Sequence, residues 1–306
     1  HFTRASGMRS LAGAGGQVLA PFLAGLLLVT VGIQGVMLID VVTFLTAIFT
    51  LALVRIPRPE PTANEEEAED GATLWRQLSF GTRYIVQRPG LLGLMLIFVG
   101  INFFAALTYF SVLPAMVLAR TGGDEIALGN VMASLGAGGI VGGLLVSTWG
   151  GPRPRIHGAL AFTAFSFLLG DPLFALGRSP LVWIVAGFLA ALFIPFIVAA
   201  NRSIWQSKVH PAVQGRVLSV QGMLQQAAMP LGYLLAGPLA DHVFGPAMEP
   251  GGTLAPLFGP LVGTGPGAGI AVMFLFTAAG GTLMGLSGYL VPAVRNVESE
   301  LPDYDE

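Results

Sequence analysis

Ionisable side chains are rare inside the long apolar stretches of this sequence, and Asp40 is the clearest of them. It stands within residues 35–54, which carry no other charge. A charged side chain inside a membrane helix costs about 3 kcal/mol unless it is paired, so it is a functional hypothesis by default. Asp40 is therefore a candidate for proton uptake in a transport cycle. The alternative is a structural cap or pair near the helix end.

Uncharged polar side chains in two further apolar stretches are candidates for contact with a small-molecule substrate. Asn102 and Tyr109 are spaced i, i+7, which places them on one helical face, beside three phenylalanines. Gln221 and Gln225 are spaced i, i+4 and also share a face. Aromatic-rich surfaces with a few polar groups suit bulky apolar ligands. Alternatively, these groups hydrogen-bond neighbouring helices together.

The sequence has no constellation of residues typical of an enzyme or a cofactor site. Its four histidines lack metal-ligand spacing, and the lack of cysteine excludes disulfides, thiolate metal sites and cysteine nucleophiles. No Gly-rich loop ending in Lys-Ser or Lys-Thr is present to cradle a nucleotide phosphate. A net charge of −2 disfavours a nucleic-acid partner, which needs a basic face. We therefore expect neither enzymatic activity nor a cofactor.

The composition of the chain is too apolar for a water-soluble domain. Of the 306 residues, 54% are apolar and 10% are charged, whereas about one-quarter of an average soluble domain is charged. The apolar stretches are about twice as long as a transmembrane β-strand and show no alternation, which favours helices over a barrel. We predict an all-α, polytopic membrane protein whose surface contacts the lipid bilayer.

Eight stretches are long enough to cross a bilayer, which takes roughly 20 apolar residues per helix. The fifth is the weakest, because Asp171 and Pro172 fall inside it. A segment rich in Gly and Pro precedes the eighth and predicts a loop or re-entrant segment. The predicted spans are residues 11–32, 35–54, 90–119, 126–149, 158–177, 179–201, 217–240 and 269–291.

The basic residues divide unequally between the two alternating sets of connecting loops. Of the 15 Lys and Arg residues, only Arg120 and Arg178 fall in one set, and the other set includes both ends of the chain. Basic residues concentrate on the cytoplasmic side of membrane proteins. We predict a protein of the cytoplasmic membrane, with both termini of this chain in the cytoplasm.

The predicted spans divide the chain into four parts. Residues 1–56 hold two spans, residues 90–294 hold six, and residues 295–306 form an acidic cytoplasmic tail. Residues 57–89 begin as a Pro-rich, acidic linker. Their second part, residues 72–87, has Leu74, Leu78 and Ile85 near one helical face, as an interfacial helix does. Two helices, a cytoplasmic linker and six helices indicate a six-plus-six transporter without its first four helices.

Small residues recur at every fourth position in the first predicted helix. Such a stripe lets another helix approach closely, and Pro21 bends the helix beside it. The fourth predicted helix offers a matching stripe in Gly138 and Gly142. The stripe of the first helix consists of Gly16, Ala20 and Ala24.

The spacing in the first helix resembles the antiporter motif of the major facilitator superfamily, G-x8-G-x3-G-P-x2-G-G. Four fixed positions match, and alanine replaces glycine at two. The motif belongs to the family's fifth helix, which meets the eighth helix between the two halves. The resemblance implies that this chain corresponds to helices five to twelve and that its first helix packs on Gly138 and Gly142. The motif positions are Gly7, Gly16, Ala20, Pro21, Ala24 and Gly25.

The end of the chain resembles exporters of the drug, macrolide and siderophore efflux branch. Three segments carry this resemblance: the Gly/Pro-rich segment, the GIAVMFLF sequence that follows it, and the Glu-containing tail. The resemblance implies proton-coupled export of small, largely apolar compounds by alternating access. The family's seventh helix lines its central cavity, which implies that Asn102 and Tyr109 contact substrate. Two alternatives remain: a permease subunit driven by a separate ATPase, and a non-transporting membrane scaffold.

Overall fold

The computed structural model describes residues 27, 30–32, 34–50 and 72–304, except for the side chains of residues 72–74 and 77. Most of the first predicted helix and the Pro-rich, acidic part of the linker lie outside the described residues. So does the whole antiporter-like motif, which comprises Gly7, Gly16, Ala20, Pro21, Ala24 and Gly25.

Helices form the architecture, and the residues that the structure describes contain no strand. This agrees with the predicted all-α, polytopic fold. A short π-helix, Leu239–Phe244, continues α10. The α-helices are α1 (Gln34–Thr50), α2 (Ala72–Val86), α3 (Pro89–Leu107), α4 (Leu113–Thr121), α5 (Glu125–Trp149), α6 (Arg155–Leu176), α7 (Pro180–Leu192), α8 (Ile194–Lys208), α9 (Pro211–Gln226), α10 (Met229–Pro238), α11 (Gly245–Ala247), α12 (Ala255–Val262), α13 (Ala268–Leu290), α14 (Pro292–Arg295) and α15 (Val297–Glu300).

Five helical segments are long and apolar enough to cross a membrane: α3, α5, α6, α13, and α7 with α8 taken together. Helix α3 corresponds to the third predicted span, α5 to the fourth, and α6 to the fifth. Helices α7 and α8 together correspond to the sixth, and α13 corresponds to the eighth. The seventh predicted span is divided between α9 and α10, because Pro230 in the first turn of α10 has no N–H to continue the helical ladder. The second span corresponds to the shorter α1.

The ends of α5 show how the sequence sets the limits of a helix. Asp124 is the N-cap, and its Oδ1 accepts hydrogen bonds from the backbone N–H groups of Ile126 (2.9 Å) and Ala127 (3.0 Å). At the other end, Gly150 has φ 78°, a left-handed conformation that glycine adopts without a steric cost. The 25 residues of α5 span about 37 Å, which is enough to cross a bilayer.

Helix α6 lies at the centre of the bundle and packs chiefly against α13, α7 and α8. Glycines on α13 let the two helices approach closely. A Cβ on Gly285 would lie 2.8 Å from the backbone nitrogen of Ala164, and one on Gly281 would overlap the ring of Phe167. Because lipid gives helices no hydrophobic reason to associate, such close contacts carry much of the packing.

Gly138 and Gly142 of α5 pack against α7, which corrects the partner helix that the family resemblance implied for them. A Cβ on Gly138 would lie 3.0 Å from the carbonyl carbon of Phe188, and one on Gly142 would lie 3.0 Å from that of Leu192. Because α7 already covers this face, a further helix would have to use another. A Cβ on Gly139 would meet nothing within 4 Å, so the adjoining face is open among the described residues.

Helix α2 packs on α9 instead of lying on the membrane surface alone. A Cβ on Gly81 would lie 2.6 Å from Cγ2 of Val220, and Ile85 is buried in the same cluster. Trp75 remains 78% exposed, and Phe80 is also exposed. The helix therefore has one face in the bundle and one aromatic face free for the membrane interface.

Residues 295–304 fold back onto the bundle around Lys208, whose side chain is 1% exposed. Its Nζ donates to the carbonyl oxygens of Leu301 (2.7 Å) and Glu298 and pairs with Oδ1 of Asp303 at 2.9 Å. The Glu298 carboxylate accepts the N–H of Ile156 at 2.7 Å, at the start of α6, where backbone donors are unpaired. We call these five residues the tail clamp. The hydrogen bond from Lys208 lowers the pKa of Asp303.

Candidate functional site

Three amide side chains meet where α3, α8 and α9 pack together. The Nδ2 of Asn102 donates to the backbone carbonyl of Gln225 at 2.9 Å, and the Nδ2 of Asn201 lies 3.5 Å from Oε1 of Gln225. We call these three residues the amide cluster. Because α9 ends at Gln226, the Gln225 carbonyl lies in its last turn, where carbonyls lack a partner within the helix. Asn102 supplies that partner.

Two polar atoms of the amide cluster are unpaired. Oδ1 of Asn201 and Nε2 of Gln225 are buried and have no hydrogen-bond partner in the part of the chain that the structure describes. Burying an unpaired polar atom costs about 1–3 kcal/mol. The cluster therefore holds one buried acceptor and one buried donor that have no partner among the described residues.

Gln221 lies one turn before Gln225 on α9, as the spacing predicts, but it does not join the amide cluster. It is half-buried, and among the described residues its side chain makes no hydrogen bond. Asn201, which completes the cluster, is not among the candidates selected by spacing, because it lies at the end of a predicted span. Its contact with Gln225 of α9 joins residues that are far apart in sequence.

A second polar cluster lies between α6, α13 and the connection that follows α3. Asp171 is fully buried, its Oδ1 accepts a hydrogen bond from the Tyr109 hydroxyl, and its Oδ2 accepts one from Thr277 at 2.5 Å. We call these three residues the carboxyl cluster. The Tyr109 ring packs edge-on against Phe174 and Phe274, with centroids 5.7 and 5.6 Å away. Three segments distant in sequence therefore meet at one carboxylate.

The structure separates Asn102 and Tyr109, whose spacing predicts a shared face. Helix α3 ends at Leu107, so the two residues belong to different local structures and bond to different helices. Tyr109 reaches Asp171 partly because Gly170 has no side chain, since a Cβ there would lie 3.0 Å from the Tyr109 hydroxyl oxygen. Tyr109 therefore belongs to the carboxyl cluster, whereas Asn102 belongs to the amide cluster.

Sequence reasoning missed Asp171 and Thr277 as site residues. The signal for Asp171 was present, because an acid inside an apolar span is unusual, but beside Pro172 it indicated only a weak span. Thr277 gave no signal, since a threonine in a helix can satisfy itself with the carbonyl one turn earlier. Its hydroxyl does contact such a carbonyl, that of Phe274, at 3.2 Å.

Asp40 is exposed on α1, and its carboxylate bonds to no residue that the structure describes. The hydroxyl of Thr43 donates to the backbone carbonyl of Asp40, at 2.9 Å, and not to its side chain. The segments preceding residue 27 lie outside the description, so the role predicted for Asp40 stays a prediction.

Arg120 and Arg178, the two basic residues predicted on the same side of the membrane, line one cavity beside α12. Arg120 donates to the carbonyl oxygens of Gly177 (2.8 Å) and Val262 (2.7 Å), which ties the end of α6 to the end of α12. Burial lowers the pKa of Arg120, and the nearby charge of Arg178 lowers it further. Arg120 is therefore a structural tie between helix ends.

A family model described as Major Facilitator Superfamily matches residues 1–233, which is more than half of the chain. The chain belongs to the major facilitator superfamily. The all-α membrane fold is thereby placed in one family of membrane transporters.

Relatives within this superfamily carry efflux names. The chain is 26% identical over 230 residues to macrolide efflux protein A of Streptococcus pyogenes, an overlap of 74% of this chain and 55% of that protein. It is 26% identical over 219 residues to macrolide efflux protein A of Enterococcus faecalis, an overlap of 70% and 65%. It is 27% identical over 239 residues to multidrug efflux pump Tap of Mycolicibacterium fortuitum, an overlap of 74% and 54%.

The chain therefore spans 54% to 65% of the length of these curated relatives. No solved structure matches the chain.

Proposed function

We propose that the chain is part of a secondary exporter that moves small, largely apolar compounds across the cytoplasmic membrane by alternating access, in exchange for protons. The observation that carries this proposal is the amide cluster, with a buried donor and a buried acceptor unpaired between apolar helices. Ligand sites of this kind are mainly apolar with a few convergent polar groups. The efflux names of the superfamily relatives support the same substrate class.

The break in the seventh predicted span supports movement at the amide cluster. Helix α9 ends at Gln226, directly after Gln225, and α10 begins at Met229. Hinges are short element-terminal segments that absorb backbone rotation. A tilt of α9 relative to α10 would change the distances from Gln225 to Asn102 and Asn201, and so would change the substrate contacts.

We further propose that four helices precede residues 1–56 in the complete transporter and complete its cavity, with residues 57–89 as the linker and 90–294 as the C-terminal half. In this arrangement both ends of the chain are cytoplasmic. Support comes from Arg120 and Arg178, the two basic residues of the opposite loops, which lie together. The open face at Gly139 is the surface that the first predicted helix would cover.

The test is efflux of a fluorescent macrolide from cells that express the longer reading frame, with and without a protonophore. We expect efflux that stops when the proton gradient collapses. Efflux that persists with the protonophore and stops on ATP depletion would identify an ATP-driven permease instead. Absence of efflux for every apolar antibiotic tried would contradict export as the function.

Substitutions separate the proposed roles. Asn102→Leu is expected to lower efflux at normal protein levels, whereas Asn130→Leu, an exposed amide on α5, is the matched control and should leave it unchanged. For the proton-coupling role of Asp40, Asp40→Asn is expected to uncouple efflux from the gradient. Unimpaired coupling in that variant would remove Asp40 from the mechanism.

A further inference from the structure

We propose that Asp171 is a proton-binding site, at which the carboxyl gains and loses a proton while Tyr109 and Thr277 keep it hydrogen-bonded in both states. This inference rests on the proposed function for its biological purpose, because a coupled exporter needs a group that exchanges protons. The site itself is argued from the carboxyl cluster alone.

The first argument is burial without a counter-charge. Asp171 is 0% exposed inside α6, a helix long enough to span the membrane. An ionised carboxylate in such a place is costly unless it is paired with a cation. Within residues 72–304, its two hydrogen-bond partners are both neutral hydroxyls. Neither charge state is therefore locked in place by an ion pair.

Apart from Tyr109, the charged and titratable groups of the surrounding helices lie near the helix ends, away from Asp171. Helices α7 and α12 carry none, and α13 carries only Tyr289, which bonds to His157 about 20 Å along α6 from Asp171. On the other side, Arg120 of α4 is bound to backbone carbonyls. The remaining charged groups on elements that pack against α6 sit at its cytoplasmic start: Arg155, Arg202, Lys208, Glu298 and Glu300.

The second argument is that Thr277 can serve both charge states. Its Oγ1 lies 2.5 Å from Oδ2 of Asp171 and 3.2 Å from the carbonyl oxygen of Phe274. With Asp171 ionised, Thr277 donates to Oδ2. When a proton binds Oδ2, the new O–H donates to Thr277 Oγ1, whose own hydrogen turns to the Phe274 carbonyl. One proton is added, the site's charge changes from −1 to 0, and no polar atom is left unpaired.

The third argument is that Tyr109 can also serve both charge states. Its hydroxyl donates to Oδ1 of Asp171. Because the proton binds Oδ2, Oδ1 remains an acceptor for Tyr109 in the ionised and in the protonated acid. The missing side chain at Gly170 leaves room for this contact.

Proton binding at Asp171 changes contacts between separate helices. The carboxylate accepts from α13 and from the connection after α3, whereas the protonated acid donates to α13. A local change in hydrogen bonding biases a conformational equilibrium when its two states differ in those contacts. The carboxyl cluster is therefore placed to link proton exchange to the relative positions of α6 and α13.

The test is pH-difference infrared spectroscopy of the chain in lipid nanodiscs, comparing wild type with Asp171→Asn. The wild-type-minus-variant spectrum is expected to contain a carboxylic C=O band that appears on acidification and disappears reversibly at higher pH. A band that persists at every pH would show a permanently neutral, structural acid. A spectrum without the band at any pH would show a permanent carboxylate. Either result overturns the proposal.

A matched variant and a second measurement guard against misfolding. Asp241→Asn removes an exposed acid of the same type and should leave the assigned band in place. Loss of that band would move the assignment away from Asp171. Tyr109→Phe keeps the ring and removes the hydroxyl. The band should then shift to higher frequency, because a C=O group that loses a donor stretches at higher frequency. An unshifted band would exclude Tyr109 as a partner.

The infrared result does not depend on transport. A titrating Asp171 band in a protein that exports nothing would support the proton site and contradict the proposed function. Proton-driven efflux that survives Asp171→Asn, with no band assigned to Asp171, would leave the proposed function intact and overturn this inference.

Discussion

Replacement of Lys208 with methionine is expected to open the tail clamp. The ammonium group bonds to the carbonyls of Glu298 and Leu301 and to Asp303. Hydrogen bonds to charged groups contribute about 1.5–3 kcal/mol each, but burial of the ammonium opposes them by several kcal/mol. Asp303 is 56% exposed, so its ion pair contributes on the order of 0–1 kcal/mol. We therefore expect a net loss of about 2 kcal/mol in docking of the tail.

Hydrogen exchange of the tail amides measures this loss. The N–H of Tyr304 donates to the carbonyl of Ser207 at 2.9 Å and exchanges only when the tail opens. A loss of about 2 kcal/mol corresponds to roughly 30-fold faster exchange. We expect that change over residues 297–304 in nanodiscs, with α13 unaffected.

Asp303→Asn is the matched control for the Lys208 prediction. It removes only the half-exposed ion pair, so exchange should rise less than about five-fold. Exchange in Lys208→Met within about three-fold of wild type would refute the reasoning that the buried ammonium holds the tail. Equal effects of the two substitutions would show that the ion pair, and not the carbonyl bonds, closes the clamp.

Three further predictions concern other contacts. Gly138→Leu should destabilise the detergent-solubilised protein to heat by more than about 1–3 kcal/mol, because the new side chain meets the α7 backbone, whereas Gly139→Leu should be tolerated in this half. Arg120→Met should speed proteolysis around α12, because three carbonyls lose their donor. Arg178→Met should have a smaller effect, because Arg178 reaches α12 only through one long contact, 3.5 Å to the carbonyl of Pro260. The depressed pKa of Asp303 means that its contribution is present above the ordinary value of 3.8 and is lost as pH falls through the lowered value. The protection of the tail amides, measured against free amides at the same pH, should therefore fall only in strong acid.

Each of these predictions has a result that contradicts it. Equal heat stability of the two glycine variants would mean that α5 is not held through Gly138. Unchanged proteolysis in Arg120→Met would remove the tie between α6 and α12. Tail protection that already falls near neutral pH would point to a group other than Asp303.

The sequence predicts the spans well because their signal is local. About 20 apolar residues in a row have one solution in lipid, a helix, so six of the predicted spans coincide closely with described helices or helix pairs. The sequence analysis predicts residues 217–240 as one span, whereas the structure divides it at Pro230, since proline interrupts the helical ladder. The sequence does not predict which helix packs against which. Gly138 and Gly139 are both glycines of one stretch, yet only Gly138 contacts α7.

The candidate site was only partly predictable for the same reason. Asn102 and Gln225 were found as polar residues inside apolar stretches, and the structure brings them together. Asn201 and Thr277 have common side chains whose importance depends on contacts between helices far apart in sequence. Spacing along one helix cannot reveal that α3 ends between Asn102 and Tyr109, which sends the two side chains to different neighbours.

The burial of Lys208 bears on how loop charges are interpreted. Basic residues set orientation while a chain inserts, before its helices pack against one another. Lys208 counts among those residues, yet in the folded bundle its side chain is 1% exposed and faces protein carbonyls in place of lipid headgroups. Residues 298–303 cover this charge in the folded bundle. The charge asymmetry of a sequence and the charge on the folded surface are therefore two different quantities.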